Sequence, residues 1–461
     1  MRPALVAEKA GIPAVVIAAT SFLPLVHVLS MAEGVPGLRV AEYPSTLSID
    51  SEAVIRENFE KMTFNQVIEA LTEPVKESGG RQENISEGTF EEMEGTFEEI
   101  NEFFYKRNLT DGLPIIPPTI ERVEEFLRYT DRSPHEEIAI LLPGNLRATP
   151  SIIAANGVMA GCRPEHMPIL IAAVEAIADP DYDLEQIGTT YGLNPFLLIN
   201  GPIIKQLGIE HGVGLISRGP NPAIGRALGM IIRNIAGFRP GEQRMGTFGY
   251  ILPFVLAEDE EGSPWGPFHV GRGFDRNTST VTAGGTVNWG GQVFPSGTDP
   301  EGLLKIICRE IVRNVGLRTQ SLPMGLTKMA MCTVIINPSV AQGIARGGYS
   351  KKDAEQYLFE NSRVTIREIS FEFKYGNPLG GSQTIRSLAA TEGASLKEWK
   401  ECADLEDQPD VTVPAMGYPG LTHIVVCGDR VRNKAMVFYT CYNRPTTKEI
   451  KLPANWGKLI R

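Results

Sequence analysis

The sequence predicts an α/β protein made of two units that an acidic linker joins. Helix and strand patterns alternate over residues 1–73, and helix, strand and glycine-rich turn patterns alternate again over residues 107–461. A chain of 461 residues also exceeds what a single core usually holds. We expect a truncated, Rossmann-like parallel α/β half-domain first. A larger α/β (α+β) domain follows, with an internal duplication and a β-rich C-terminal end.

The first unit has too few strands to form a sheet alone. Its patterns predict a helix that ends at Gly11, a strand at 14–18, a helix at 22–33, a strand at 38–42 and a helix at 52–71. This order is typical of a parallel sheet with crossover helices, but two strands leave the edges and faces of such a sheet uncovered. We expect either a second polypeptide that completes the sheet or a true start upstream.

Composition limits the partners. A net charge of -11 and a pI of about 5.3 argue against nucleic acid and anionic membranes. The six cysteines include no Cys-x-x-Cys pair, so the reducing cytoplasm fits better than a disulfide framework or a zinc ribbon. The apolar stretch at 12–29 is broken by Pro13 and Pro24 and cannot span a bilayer. We expect small-molecule and protein partners.

Residues 74–106 predict a flexible tether. They contain Gly79-Gly80 and then an acidic run in which GTFEE occurs at 88–92 and again at 95–99. Such a composition cannot bury a core. The alternative is that Phe90 and Phe97 dock on a partner.

The large domain opens with capped helices around a cysteine. Thr149 and Pro150 predict a helix that Gly161 ends, and Pro164 begins the next helix. Cys162 lies in the hinge beside Arg163, where a helix dipole and a positive charge favour the thiolate. We therefore predict Cys162 as a reactive residue. The alternative is a small buried residue that fills a gap between helices.

Two similar segments predict an internal duplication. Residues 197–212 and 334–350 both read strand, Ile-Asn, proline, short helix and glycines. The repeat would pair the two strand ends, Asn200 and Asn337, across one crevice. Between them, a helix that starts at Asn221 beside Arg218 could bind an anion at its N-terminus. A structural turn is the alternative there.

Residues 248–274 predict the working surface. An apolar strand at 251–257 runs into the acids at 258–261, and a loop forced by prolines and glycines follows. Polar groups at a buried strand end can form a pocket floor. We predict the catalytic residues Glu258, Glu261, His269 and Cys162, and the substrate-binding residues Trp265, Arg272, Asn200, Asn337, Arg218 and Asn221. The alternative is a solvated acidic turn packed by Trp265.

A family resemblance connects the two units. Residues 5–71 resemble the second half of the redox-type domain of the UGSC family, which takes its name from a Sec/Cys-Gly-Ser-Cys motif. The segments TDGLPIIPPT, NGVMAGCRPEHMP, LLINGPI and AEDEEGSPW are similar to those of the large domain fused to or encoded beside it. The motif itself is absent, and its place would be before Met1. The resemblance implies thiol or selenol redox chemistry, with no motif residue to carry over.

Three functions follow as hypotheses. The first is a thiol- or selenol-dependent oxidoreductase or lyase that acts on a small organic substrate. A small UGSC-type redox subunit would complete this enzyme in a hetero- or homo-oligomer, and the acids near Glu258, with His269, would move protons. The second is a metal-dependent hydrolase with Glu258, Glu261 and His269 as ligands. The third is a non-catalytic scaffold. The sequence identifies no cofactor.

Overall fold

A computed structural model describes residues 2–47, 49–74, 93–250, 252–316, 331–375, 384, 386–387, 403–416, 419–440 and 444–460. Helices and strands mix throughout, as the predicted α/β class requires. The helices are α1 (Arg2–Lys9), α2 (Leu23–Ala32), α3 (Glu52–Asn58), α4 (Phe64–Thr72), α5 (Phe97–Lys106), α6 (Ile120–Leu127), α7 (Pro150–Ala160), α8 (Met167–Ile177), α9 (Ile203–Gln206), α10 (Asn221–Asn234), α11 (Pro300–Ile311), α12 (Pro338–Arg346), α13 (Lys351–Asn361), α14 (Ile366–Tyr375) and α15 (Trp456–Leu459). The strands are β1 (Val15–Ala19), β2 (Arg39–Tyr43), β3 (Ala139–Leu141), β4 (Leu146–Ala148), β5 (Asn194–Asn200), β6 (Phe254–Ala257), β7 (Thr280–Thr286), β8 (Gln292–Val293), β9 (Met331–Ile336), β10 (Arg363–Thr365), β11 (Thr412–Pro414), β12 (Thr422–Val426), β13 (Ala435–Thr440) and β14 (Thr446–Glu449).

The N-terminal unit has the predicted α-β-α-β-α order. β1 and β2 pair in parallel, with Val15 opposite Arg39. One face of this two-stranded sheet packs Val16 and Ala18 against the helices α1 and α2, and α4 packs on the other face, mainly on β2. A π-helical turn at Phe59–Thr63 separates α3 from α4. The sequence predicted one continuous helix at 52–71, and the structure divides it into α3 and α4 at this turn.

Two four-stranded sheets form the large domain. The first sheet has the order β14-β7-β5-β6, and the second has the order β12-β9-β13-β8. In each sheet the central strand pairs in parallel with one neighbour and antiparallel with the other, β5 with β6 and β7, and β9 with β12 and β13. The shared order supports the predicted repeat, and a sequence duplication stays a prediction.

The sheets pack face to face between two helical layers. Phe196 and Phe254 of the first sheet contact Phe438 of the second, with ring centroids 5.9 and 5.3 Å apart. Alternate residues point away from this interface. Those of the first sheet pack against α7, α8 and α10, and those of the second pack against α11, α12 and α13. Successive side chains of a strand point to opposite faces of its sheet. Because the strands carry apolar side chains on both faces, each sheet is buried between two layers.

The two halves exchange their fourth strands. After β7, the chain crosses to the second sheet, where β8 pairs with β13. After β13, it crosses back to the first sheet, where β14 pairs with β7. Between β7 and β8, Val287 N donates to Tyr439 O at 2.9 Å, and Tyr439 N donates to Asn288 Oδ1 at 3.1 Å. Each sheet is therefore completed by the other half.

The predicted tether is wrong in its second part. The second GTFEE copy is a capping sequence: Thr96 and Glu99 form a reciprocal capping box that begins α5. Asn101 of α5 accepts from Ile115 N at 2.7 Å and donates to Ile115 O at 3.3 Å. The residues of α5 thus belong to the folded domain, whereas the first copy, at 88–92, lies outside the described residues. Across the described chain, no helix is both long and apolar enough to cross a membrane.

Candidate functional site

The acid segment lies at the end of a buried strand, as predicted. β6 is buried and ends at Ala257, opposite Ile199 of β5, so Glu258 follows at the carboxyl ends of two parallel strands. A cavity of about 720 Å³ opens here. Acids at 258–261 line it together with polar, basic and apolar side chains. Those lining side chains include Ile204, Lys205, His211, Trp265, Arg276 and Asn277.

Glu258 and Glu260 share one amide. Asn200 Nδ2 donates to Glu258 Oε2 at 2.6 Å and to Glu260 Oε1 at 3.1 Å. Glu258 Oε2 also accepts from Phe268 N at 2.6 Å, and Lys351 Nζ lies 3.5 Å from Oε1. Glu260 Oε1 accepts from Gly201 N at 2.7 Å. Glu258 is therefore a buried, fully anchored carboxylate, while Glu260 keeps partial exposure toward the cavity.

Asp259 joins the two sheets and faces a histidine. Burial alone would raise the pKa of Asp259, but hydrogen bonds from Arg430 and from Gly262 N outweigh it and lower that pKa below its usual value. His211 Nδ1 lies 3.8 Å from Asp259 Oδ1, and this nitrogen is buried without a hydrogen-bond partner in the described chain. The Asp259 carboxylate therefore lies beside the His211 imidazole at the cavity wall.

Glu261 and Trp265 lie at the rim and the wall. Glu261 is exposed and forms an ion pair with Lys205, and this pair lowers the pKa of the Glu261 carboxyl. Trp265 is buried, and its Nε1 donates to Tyr349 O at 3.0 Å. Both residues line the cavity, but Glu261 does not converge with Glu258.

His269 and Arg272 lie outside the cavity lining. His269 is fully buried, with Nε2 3.2 Å from Asp275 O and Nδ1 3.8 Å from Glu260 Oε1. Arg272 lies over the Phe268 ring and 3.4 Å from His423 Nε2. His269 therefore lies next to Glu260 without a hydrogen bond to it, and Arg272 faces a different cluster.

The two repeat asparagines are buried at equivalent strand ends. Asn200 ends β5, and Asn337 follows β9, where its Nδ2 donates to Asp429 O at 2.7 Å and its Oδ1 accepts from Lys434 N at 3.1 Å. The described contacts do not join the two side chains directly. They fix the loops that carry Glu258 and Asp429.

Arg218 and Asn221 are engaged by protein groups. Asn221 is buried; its Oδ1 accepts from Glu210 N at 3.0 Å, and its Nδ2 donates to Glu210 O at 2.9 Å. Arg218 is exposed, donates to Val213 O at 3.2 Å and lies 3.6 Å from Glu210. These contacts support the structural-turn alternative over the expected anion site.

The surroundings of Cys162 oppose the predicted acidified thiol. Burial raises the pKa of its thiol, and the charge of Arg226 counteracts this only in part. Its side chain packs against the helical core of the first sheet. Desolvation in the hinge therefore acts against the effect expected from the helix dipole and Arg163.

Comparison with known proteins finds a likeness for the first unit alone. Residues 1–73 of the 461 match the model of the UGSC family. No curated protein matches the chain, and no solved structure matches it. The resemblance of the large domain to segments found beside UGSC domains therefore stays a prediction.

The UGSC-family segment supplies no thiol and no residue of the cavity. Residues 1–73 contain no cysteine, and the cavity is lined from 201 to 277. Any thiol chemistry must therefore reach the cavity from elsewhere.

The described contacts do not support the metal-hydrolase alternative. Glu261 pairs with Lys205, and His269 faces Glu260 instead of Glu258. Within the described ranges, no three or more His, Cys, Asp or Glu side chains are arranged to hold a metal ion.

Three cavity or near-cavity residues gave no sequence signal. His211 and Arg276 belong to glycine-rich and polar loops without a motif, and Arg430 lies in a turn after β12. The repeat could have found Arg430, because β12 occupies in the second sheet the place of β6 in the first.

Proposed function

We propose that this chain is the substrate-binding subunit of a thiol- or selenol-dependent oxidoreductase or lyase that acts on a small organic substrate. A small partner with the Cys/Sec-Gly-Ser-Cys motif supplies the reactive thiolate or selenolate. The observation that carries the proposal is a cavity with an Asp259–His211 pair, in a chain whose first 73 residues match the UGSC family. Free cysteines at 162, 308, 332 and 427 support a reducing cytoplasm as its location.

The open N-terminal sheet supports the partner. β1 pairs with β2 on one side, and its other edge pairs with no strand of the described chain. Ile17, on this strand, is 43% exposed. The unpaired backbone groups of such an edge can hydrogen-bond to an added strand, and the exposed apolar side chain gives that strand a surface to pack on. The partner would supply this strand.

Two side chains suit proton transfer. His211 reaches the cavity with Asp259 behind it, and Glu260 reaches it with His269 behind it. A positioned base or acid of this kind typically contributes a hundredfold or more to rate. Glu258 holds the loop through Asn200 and Phe268 N and is a positioning residue.

Complex formation is the first test. The full chain is coexpressed with the small motif-bearing protein, and the mass of the complex is measured by light scattering after size-exclusion chromatography. We expect a stable complex that Ile17→Asp abolishes. Val6→Asp, which changes an exposed apolar residue of α1 instead, should leave the complex intact. A complex that forms equally well with Ile17→Asp would contradict docking at β1.

Turnover is the second test. The complex is incubated with a thiol reductant and a panel of small organic acids and amines, and products are followed by mass spectrometry. His211→Asn and Glu260→Gln should each lower turnover about a hundredfold or more. The control variants are His135→Asn and Glu124→Gln, which change exposed residues and should leave turnover unchanged. Complex formation without turnover would make the chain a scaffold, and full turnover without the partner would overturn the proposal.

A further inference from the structure

The cavity wall presents charged groups of both signs. Four acids, Lys205, Arg276 and His211 line it, and most of these have a protein partner. Asp259 is paired with Arg430, and Glu261 is paired with Lys205. Glu258 lies 3.5 Å from Lys351 and is buried. Pairing therefore leaves Glu260 as the one lining acid without a lysine or arginine partner among the described residues.

Glu260 is built as a negative pole. Its Oε1 accepts from two neutral donors, Gly201 N and Asn200 Nδ2. Behind it, His269 is fully buried, and its Nδ1 has no hydrogen-bond partner in the described chain. This nitrogen lies 3.8 Å from Glu260 Oε1. His269 does not line the cavity, so Glu260 itself is the unpaired acid that the cavity presents to a ligand.

Arg276 is the matching positive pole. It lines the same cavity, and within the described ranges its guanidinium forms no ion pair and donates no hydrogen bond. A guanidinium suits a carboxylate because its donors match the two oxygens. Ile204 and Trp265 add apolar surface to the lining of the same cavity.

We propose that the ligand of this cavity is a small zwitterion of the amino-acid class, with its carboxylate on Arg276 and its ammonium group on Glu260. The inference rests on the proposed function only in taking this cavity as the substrate site. A dicarboxylate would place its second charge against Glu260, and a diamine would place one against Arg276. A zwitterion satisfies both poles and leaves its side chain for the wall at Ile204 and Trp265.

The test measures binding to the full chain, without partner or turnover. The proteinogenic amino acids are screened by ligand-observed NMR at millimolar concentration. The best binder is then compared with its deaminated acid and its decarboxylated amine. Loss of either charge should weaken binding roughly ten- to hundredfold, because each removes a charged hydrogen bond. In Arg276→Gln, the decarboxylated amine should bind as tightly as the amino acid does. In Glu260→Gln, the deaminated acid should bind as tightly as the amino acid does.

Matched controls and outcomes separate this inference from the proposed function. Arg309→Gln and Glu124→Gln change exposed residues of α11 and α6 and should leave the preference for both charges intact. The zwitterion is overturned if no amino acid binds, if the acid or amine alone binds as tightly, or if Arg276→Gln and Glu260→Gln keep the wild-type preference. Amino-acid binding without thiol-dependent turnover would instead overturn the proposed function alone.

Discussion

Asp259 and Arg430 form a bidentate ion pair, in which Nε donates to Oδ2 and Nη2 donates to Oδ1, each at 2.7 Å. Asp259 lies just beyond Glu258, which follows β6 of the first sheet, and Arg430 lies in the turn after β12 of the second. Asp259 N also donates to Val426 O at 2.8 Å. The pair therefore joins the two sheets at the point where the cavity opens.

Removing this pair should destabilise the protein. Asp259 is buried and Arg430 is half-exposed, so solvent screens part of the interaction, and we expect Asp259→Asn to lower the free energy of unfolding by about 2 kcal/mol. Because the pKa of Asp259 is lowered on folding, its stabilisation is complete above the unfolded pKa of about 3.9 and is lost as pH falls through the folded value. Urea denaturation should thus show the two proteins converging in acid. Glu261→Gln, in an exposed pair, should behave like wild type at every pH.

A buried histidine should make stability fall in mild acid. Burial, with the neighbouring charge of Arg163, lowers the pKa of His166 from 6.5 to about 4. Between these values the unfolded chain binds a proton that the folded chain does not, so stability is lost as pH falls across this window, by about 3 kcal/mol. In urea titrations His166→Asn should flatten this dependence, whereas His135→Asn, on an exposed loop, should keep it. An unchanged slope with His166→Asn would contradict the assignment.

Cys162 should be a slow thiol. Because burial raises its pKa, little thiolate exists near neutrality. In the native protein, iodoacetamide should label Cys162 more slowly at pH 7 than a free thiol with a pKa of about 8.5, and urea should abolish the difference. Peptide mass spectrometry gives the rate at each pH. Fast native labelling would restore the reactive-cysteine hypothesis.

Gly201 should tolerate no side chain. Its φ is +91°, and an added Cβ would lie 2.5 Å from Thr278 O. Gly201→Ala should therefore cost about 1–3 kcal/mol of unfolding free energy. It should also weaken binding or turnover, because Gly201 N holds Glu260. Gly266 also lines the cavity, but an added Cβ there meets nothing within 4 Å, so Gly266→Ala is the matched control. Equal melting temperatures for the two variants would refute the steric argument.

Local signals predicted local structure well. Thr149, Pro150 and Gly161 predicted the limits of α7, because caps and positive φ act within a few residues. The strand end at Ala257 likewise predicted where the acids lie. Arg430 and His211 were missed, because the packing of two sheets brings them to Asp259 from distant parts of the chain, and only the repeat pointed to Arg430. The two-residue strand β8 carries no pattern, since its pairing is decided entirely by β13.

The strand exchange has a consequence for how the molecule folds. β14 completes the first sheet from near the C-terminus, and β8 completes the second from the middle of the chain. We expect neither half to fold as an autonomous unit, because each lacks an edge strand until the other has formed. Pairing between strands so far apart gives a high contact order, which slows folding and makes the transition cooperative. The cavity between the strand ends is therefore assembled late, and a cut between the halves would abolish both sheets together.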